Sequence, residues 1–191
     1  EVDWVRTLRH GVRPDGRPLR VMPSEDYARL TDADLAALIA HVRKLPPVQG
    51  QAEAVVEFPL PARVAFGLGL IPDTIERMAA LGPATGAPIS AGAYAANMCI
   101  GCHGPGLSGG RIPGGPPDWP AAPNLTPGEG SALARYADAQ AFARMMKSGK
   151  APDGRAIAVM PFESLAQIDD AELAALYQHL RALAPRPPGQ R

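Results

Sequence analysis

Residues 99–103 read Cys99-Ile100-Gly101-Cys102-His103, and these are the only two cysteines in the chain. On a helical turn, cysteines three positions apart face the same side, and a histidine directly after them can swing beneath a group held there. This is the pattern by which haem is attached covalently, with a thioether at each cysteine and an imidazole nitrogen for the iron. Other uses of the pattern need partners. Structural zinc takes four ligands, usually from two separated pairs, and the sequence has neither a second cysteine pair nor a His-x3-His. A thioredoxin-like redox pair wants a strand–helix setting, whereas Gly92 to Met98 reads as helix and Gly104 to Gly115 as loop. A chance occurrence is the bland alternative. Two cysteines so close together cannot staple distant parts of the chain, so a disulfide scaffold is excluded.

A sixth ligand for such an iron would be a methionine in a loop, and Met160, in Val159-Met160-Pro161, lies 57 residues after His103 between two expected helices. Methionine is more often core filler. Here the stiff Pro161 and a second occurrence of the same Met-Pro at Met22-Pro23 favour ligation, whereas Met78, Met98, Met145 and Met146 fall on helical stretches and read as core or surface. The second occurrence belongs to a repeat. The stretch from Arg13, RPDGRPLRVMPSEDYARLTDADLAALIAHVRKLPP, resembles the stretch that begins at Lys150, Arg13 pairing with Ala151 at a constant offset of 138 residues, and about half of the positions from Arg6 to Pro47 are identical. In each copy an acidic or hydroxyl residue, Thr31 or Asp169, opens a helix with a carboxylate three positions on. Leu35, Leu38, Ile39, Val42 and Leu45 then form a helical stripe matched by Leu173, Leu176, Tyr177, Leu180 and Leu183, and both helices are expected to bury it. Pro46-Pro47 and Pro185 stop them. A shorter helix precedes each methionine, Trp4 to Arg9 and Asp138 to Lys147, closed by Gly11 or Gly149.

The two copies are not equally complete. The second follows about 50 residues that carry the cysteine motif and a Pro/Gly-rich excursion from Gly104 to Pro127. The first has no such upstream half, so Met22 is expected to serve a haem whose anchor lies outside these residues; the alternatives are an anchor on another chain, or a haem-free lobe in which Met22 is core. Val48 to Pro88 reads as a connector with one short helix near Asp73 to Leu81, because prolines and glycines interrupt the rest. The expected division is 1–47 as the C-terminal half of a first domain, 48–87 as connector, 88–185 as a complete domain and 186–191 as a tail.

Composition agrees with a loop-rich globular protein. Of 191 residues 22 are proline and 20 glycine, and with only 5% aromatic residues a large apolar cofactor would help fill the core. Lysine and arginine (19) balance aspartate and glutamate (19), which argues against nucleic acid as a partner. The most apolar stretch, Val64 to Ile71, is far too short to span a bilayer. The chain starts at Glu1 without a leader, as a processed or partial product would.

From about Ala91 to Leu183 the chain resembles a class I cytochrome c domain, in CIGCH, APNLTP, a helix ending in SGKAPDGR, AVMPF and a terminal helix. Its tandem arrangement resembles multihaem cytochromes c related to the cytochrome subunits of bacterial membrane-bound alcohol, aldehyde and gluconate dehydrogenases. The resemblance covers the first copy from about Trp4 to Pro47. It implies an all-α fold, haem c held by Cys99 and Cys102, proximal ligation by His103, distal ligation by Met160, and the Pro123 carbonyl on the other nitrogen of His103. Asn124, Thr126, Tyr136 and Arg155 become candidates for the haem pocket or propionates; a tryptophan often found near Tyr136 in the family is absent. Met22 would ligate a second haem c. His41 and His179 repeat at equivalent helical positions, which fits a surface or propionate-side role better than iron binding, and Gly92 or Tyr94 is expected to meet the Leu176 to Leu180 face. The function implied is electron transfer without catalysis by this chain itself, with a redox partner protein such as a dehydrogenase or a terminal oxidase complex. The implied location is the bacterial periplasm, with membrane association only through a segment or partner outside the chain. The catalytic alternative, a dihaem peroxidase or thiosulfate-oxidising enzyme, needs an open iron position, and Met160 argues against it.

Overall fold

The computed structural model describes residues 2–20, 22, 24–49, 58–71, 73–80, 90–113 and 115–190. Pro23 and residues 50–57 and 81–89 of the expected connector lie outside the described residues. Among the described residues the architecture is helical, with isolated backbone bridges and no strand, and the fold is all-α. The chain divides into two compact units, Glu1–Ala84 and Thr85–Arg191.

In the second unit, Ser90 caps helix α6 (Ala91–Ala95) by accepting from the amide of Ala93, and the chain tightens into a 3-10 turn, Ala96–Cys99, before the one-turn helix α7 (Ile100–His103). Asp138 caps α8 (Ala139–Ser148), which Gly149 ends at φ 68°, a left-handed conformation that glycine adopts without cost. A short α9 (Phe162–Leu165) follows Met160, and Asp169 caps α10 (Asp170–Ala182) through the amide of Glu172. The expected stripe on α10 is buried at Leu173, Leu176, Tyr177 and Leu180. α10 packs across both α6 and α8. At the α6 crossing, Gly92 lets the helices touch, since a Cβ there would stand 2.1 Å from the Ala175 carbonyl oxygen. Residues 104–127 carry no helix among those described.

In the first unit, α1 (Val2–His10), α2 (Ser24–Tyr27) and α3 (Asp32–Lys44) repeat α8, α9 and α10. Thr31 caps α3 by accepting from the amide of Asp34. The expectation that α3 buries its whole stripe is corrected: Leu35 and Ile39 are buried, whereas Val42 is 37% and Leu45 53% exposed. The reading of 48–87 as a connector with a single helix is corrected as well. Besides α5 (Thr74–Ala80) there is α4 (Leu60–Gly67), entered through Pro59 with Pro61 in its first turn, where a proline's missing N–H and fixed φ do no harm. Sequence reading took those prolines as breakers when they start the helix. Furthermore, α5 packs against α1 and α2 as part of the first unit. Arg77 of α5 pairs with the buried Glu25 at 3.0 Å.

Candidate functional site

The 3-10 turn and α7 bring the motif onto one short helical run. Cys99 is half-buried, Cys102 exposed, and His103, at the end of α7, is 5% exposed. Gly104 turns the chain away at φ 80°, and the amide of Gly109 donates to the His103 carbonyl at 2.9 Å. His103 Nδ1 lies 2.9 Å from the Pro123 carbonyl oxygen. With Nδ1 as the N–H donor in that pair, Nε2 is the nitrogen offered to a metal.

Met160 sits half-buried in the loop between α8 and α9, its carbonyl accepting from the amide of Phe162 at 2.9 Å. Val159, immediately before it, has φ 76°, a strained conformation for a β-branched residue. The equivalent loop around Met22 is built from the same bonds at the same offset. Leu19 to Gly11 repeats as Ile157 to Gly149, Arg13 to Arg17 as Ala151 to Arg155, and Ser24 to Met22 as Phe162 to Met160, all main-chain N–H to carbonyl. The bridges Val12 with Pro18 and Lys150 with Ala156 match too. The duplication therefore extends to hydrogen bonds that the side chains do not make.

The other candidates are placed as follows. Asn124 and Thr126 are fully buried and bond to each other, Thr126 N and Oγ1 each donating to Asn124 Oδ1 at 2.8 Å, and both bond to the main chain of Arg186. Tyr136 stands in the core against Phe142, 5.8 Å between ring centroids, and its carbonyl accepts from the Tyr177 hydroxyl at 3.1 Å. Burial pushes its phenol above the usual tyrosine range. Arg155 is exposed on a turn beside Asp153, at 3.8 Å. Sequence reading missed the strained Val159 and the buried Ser108, neither of which carries a compositional signal, and it read residues 186–191 as a tail although Arg186, Gly189 and Gln190 bond into the fold.

The donor set fits haem better than a protein-ligated ion. Among the described residues no group of three or more His, Cys, Asp and Glu is placed to hold a metal ion, whereas a structural zinc takes four such ligands. Two thiols on one helical face and a buried imidazole oriented through Nδ1 are what attachment and ligation of haem require.

The all-α fold of the second unit is the one expected of a c-type cytochrome, a class of proteins that carry electrons. Residues 87–180 match the family model described as cytochrome c oxidase, cbb3-type, subunit III. The chain is 29% identical over 199 residues to the fructose dehydrogenase cytochrome subunit of Gluconobacter japonicus, across 93% of its own length. Residues 87–180 are thus a c-type cytochrome domain, whose characteristic cofactor is covalently bound haem c, and the chain as a whole resembles the cytochrome subunit of a dehydrogenase. The chain spans about 40% of the length of the curated relative it matches. No helix among the described residues is long and apolar enough to cross a membrane.

Proposed function

We propose that this chain relays single electrons from a dehydrogenase to an acceptor in the bacterial periplasm. In this reading Cys99 and Cys102 hold one haem c by thioether bonds, and His103 and Met160 are its axial ligands. Bound haem supplies a one-electron iron couple; the chain's own residues anchor, orient and shield it. His103 presents Nε2 while Pro123 holds Nδ1, which raises the basicity of the ligand and fixes its plane. Met160 offers a soft thioether, which favours the reduced state. The observation that carries the reading is the buried His103, locked through Nδ1 at the end of a Cys-x-x-Cys turn.

The bond-for-bond equivalence of the Met22 and Met160 loops supports a second haem c beside Met22, with its cysteine motif on polypeptide outside residues 1–191. The similarity to a fructose dehydrogenase cytochrome subunit supports a dehydrogenase as electron donor. Covalent attachment of haem supports the periplasm, because the attachment chemistry operates outside the cytoplasmic membrane.

An alkaline pyridine haemochrome spectrum and an intact mass test the central claim. A c-type spectrum and a mass above the bare polypeptide are expected; the bare mass overturns the reading. In Met160→Ala the weak near-infrared Met-to-iron band of the oxidised protein is expected to vanish, and its persistence would assign the sixth ligand elsewhere.

A further inference from the structure

We propose that residues 186–190 form a strap that fixes the distance between His103 and the Pro123 carbonyl, with Thr126, Asn124 and Ser108 as its positioning residues. The inference rests on the reading of His103 as an iron ligand.

Ser108, Asn124 and Thr126 are polar side chains, each at most 2% exposed. Such groups are costly to bury unless they are hydrogen-bonded. Asn124 Nδ2 donates to the Arg186 carbonyl at 2.9 Å, and the Arg186 amide donates to Thr126 Oγ1 at 3.0 Å. Further along, the Gly189 amide donates to the Ser108 carbonyl at 2.8 Å, and Ser108 Oγ donates to the Gln190 carbonyl. The strap lies close against glycine: a Cβ on Gly106 would meet the Arg186 guanidinium at 3.1 Å, and one on Gly130 would meet Pro188 at 2.8 Å.

These contacts fall on two segments. Ser108 belongs to the loop that leaves His103 and returns to its carbonyl through Gly109, while Asn124 directly follows Pro123. One strand of main chain thus ties the segment carrying the donor of the His103–Pro123 bond to the segment carrying its acceptor. The two segments also bond directly, Leu125 N to Leu107 O and Gly110 with Ala122, so the strap tightens a connection that already exists. Asn124 and Thr126 are therefore assigned to holding the histidine's partner in place, one step removed from any propionate. A well-held Nδ1–H to carbonyl bond makes the imidazole a stronger donor to iron and favours the oxidised state; a slack one lets the potential rise.

The test uses the haem-loaded protein. Thr126→Val keeps the shape and removes the hydroxyl's bonds to Asn124 and to the main chain of Arg186, whereas Thr126→Ser keeps them. For Thr126→Val we expect a midpoint potential shifted upward and a ring Nδ1 proton of His103 that exchanges about tenfold faster by NMR in the reduced protein, the equivalent of one hydrogen bond. Thr126→Ser should match the wild type in both. Ser108→Ala, a smaller change on the other segment, should move both readouts the same way, and it decides the matter if Thr126→Val yields no folded protein. Unchanged potential and exchange with haem attached would overturn the strap. A wild-type protein without covalent haem would instead overturn the ligand reading, so the two failures are distinct.

Discussion

Replacing Gly92 by alanine tests the packing that closes the cytochrome unit. The new methyl would stand 2.1 Å from the Ala175 carbonyl oxygen, 2.7 Å from its carbon and 2.8 Å from the Cβ of His179. Real Cβ atoms essentially never come within 3.0 Å of another heavy atom, so α6 must withdraw from α10 by about 1 Å, and main-chain atoms of a packed helix cannot turn aside as a flexible side chain would. Overpacking costs ~1–3 kcal/mol, and rigid neighbours place this site at the upper end. Alanine regains ~1 kcal/mol of helix propensity over glycine, which leaves a net loss of about 2 kcal/mol. For a unit of this size each kcal/mol moves the midpoint by ~4–8 °C, so the transition of Thr85–Arg191 should fall by about 8–16 °C. Thermal unfolding followed by circular dichroism reads this directly. Gly67→Ala, at the end of α4 with nothing within 4 Å, is the control and should leave the melting curve unchanged or slightly higher. A Gly92→Ala midpoint within ~2 °C of wild type would refute the reasoning.

Three further outcomes follow from particular contacts. Arg77 and Glu25 are only 18% and 10% exposed, and Glu25 Oε2 has no hydrogen-bond partner among the described residues, so Arg77→Ala should destabilise the first unit by about 3 kcal/mol. The double variant Arg77→Met with Glu25→Leu should recover most of that in urea denaturation. Val159→Gly should stabilise the second unit by about 1 kcal/mol, strain relief of ~1–3 outweighing glycine's added chain entropy of ~0.5–1; a less stable variant would sink the strain argument. Burial holds His179 below the usual imidazole range. An unfolded histidine takes up its proton near ~6.5 while the folded one resists, so this contribution is complete above that pH and is lost as pH falls through the lower folded value. The fall in stability on going below pH ~6.5 should be shallower in His179→Gln.

Much of the second unit was legible in the sequence because its signals are local. Asp138 and Asp169 as caps, Gly149 as a left-handed stop and the α10 stripe each follow from residues within a turn or two of one another. The glycine seam between Gly92 and α10 was legible for a different reason: a resemblance supplied the long-range pairing. What escaped were contacts in which a side chain meets distant main chain. Asn124 and Thr126 read as pocket polar groups because nothing in their neighbourhood announces that Arg186 supplies their partners. The prolines before and within α4 were misjudged because a breaker inside a helix and a starter at its first turn are the same residue, told apart only by where the helix begins.

The repeat itself was misleading at one place, and the reason is a single substitution. At offset 138, Gly11 corresponds to Gly149 and Ser24 to Phe162. In the second unit the Phe162 ring fills the space beside Gly149, 3.0 Å from where a Cβ would be. In the first unit the buried Ser24 leaves that volume empty of aromatic bulk, and Thr74 of α5 moves in, so that a Cβ on Gly11 would meet Thr74 Cγ2 at 2.1 Å. Thr74 then donates to the Leu19 carbonyl, and Arg77 one turn on reaches both Glu25 and the Met22 carbonyl. A helix from the expected connector thus takes the place of a phenylalanine ring. Gly11 and the Met22 loop repeat Gly149 and the Met160 loop, and the loop keeps its own hydrogen bonds while the wall behind it is exchanged. Backbone geometry in a duplicated unit is dictated by the residues that turn the chain, and the identity of its neighbours by the volumes left open, so a small side chain at position 24 was the one signal in the first copy that something else must pack there.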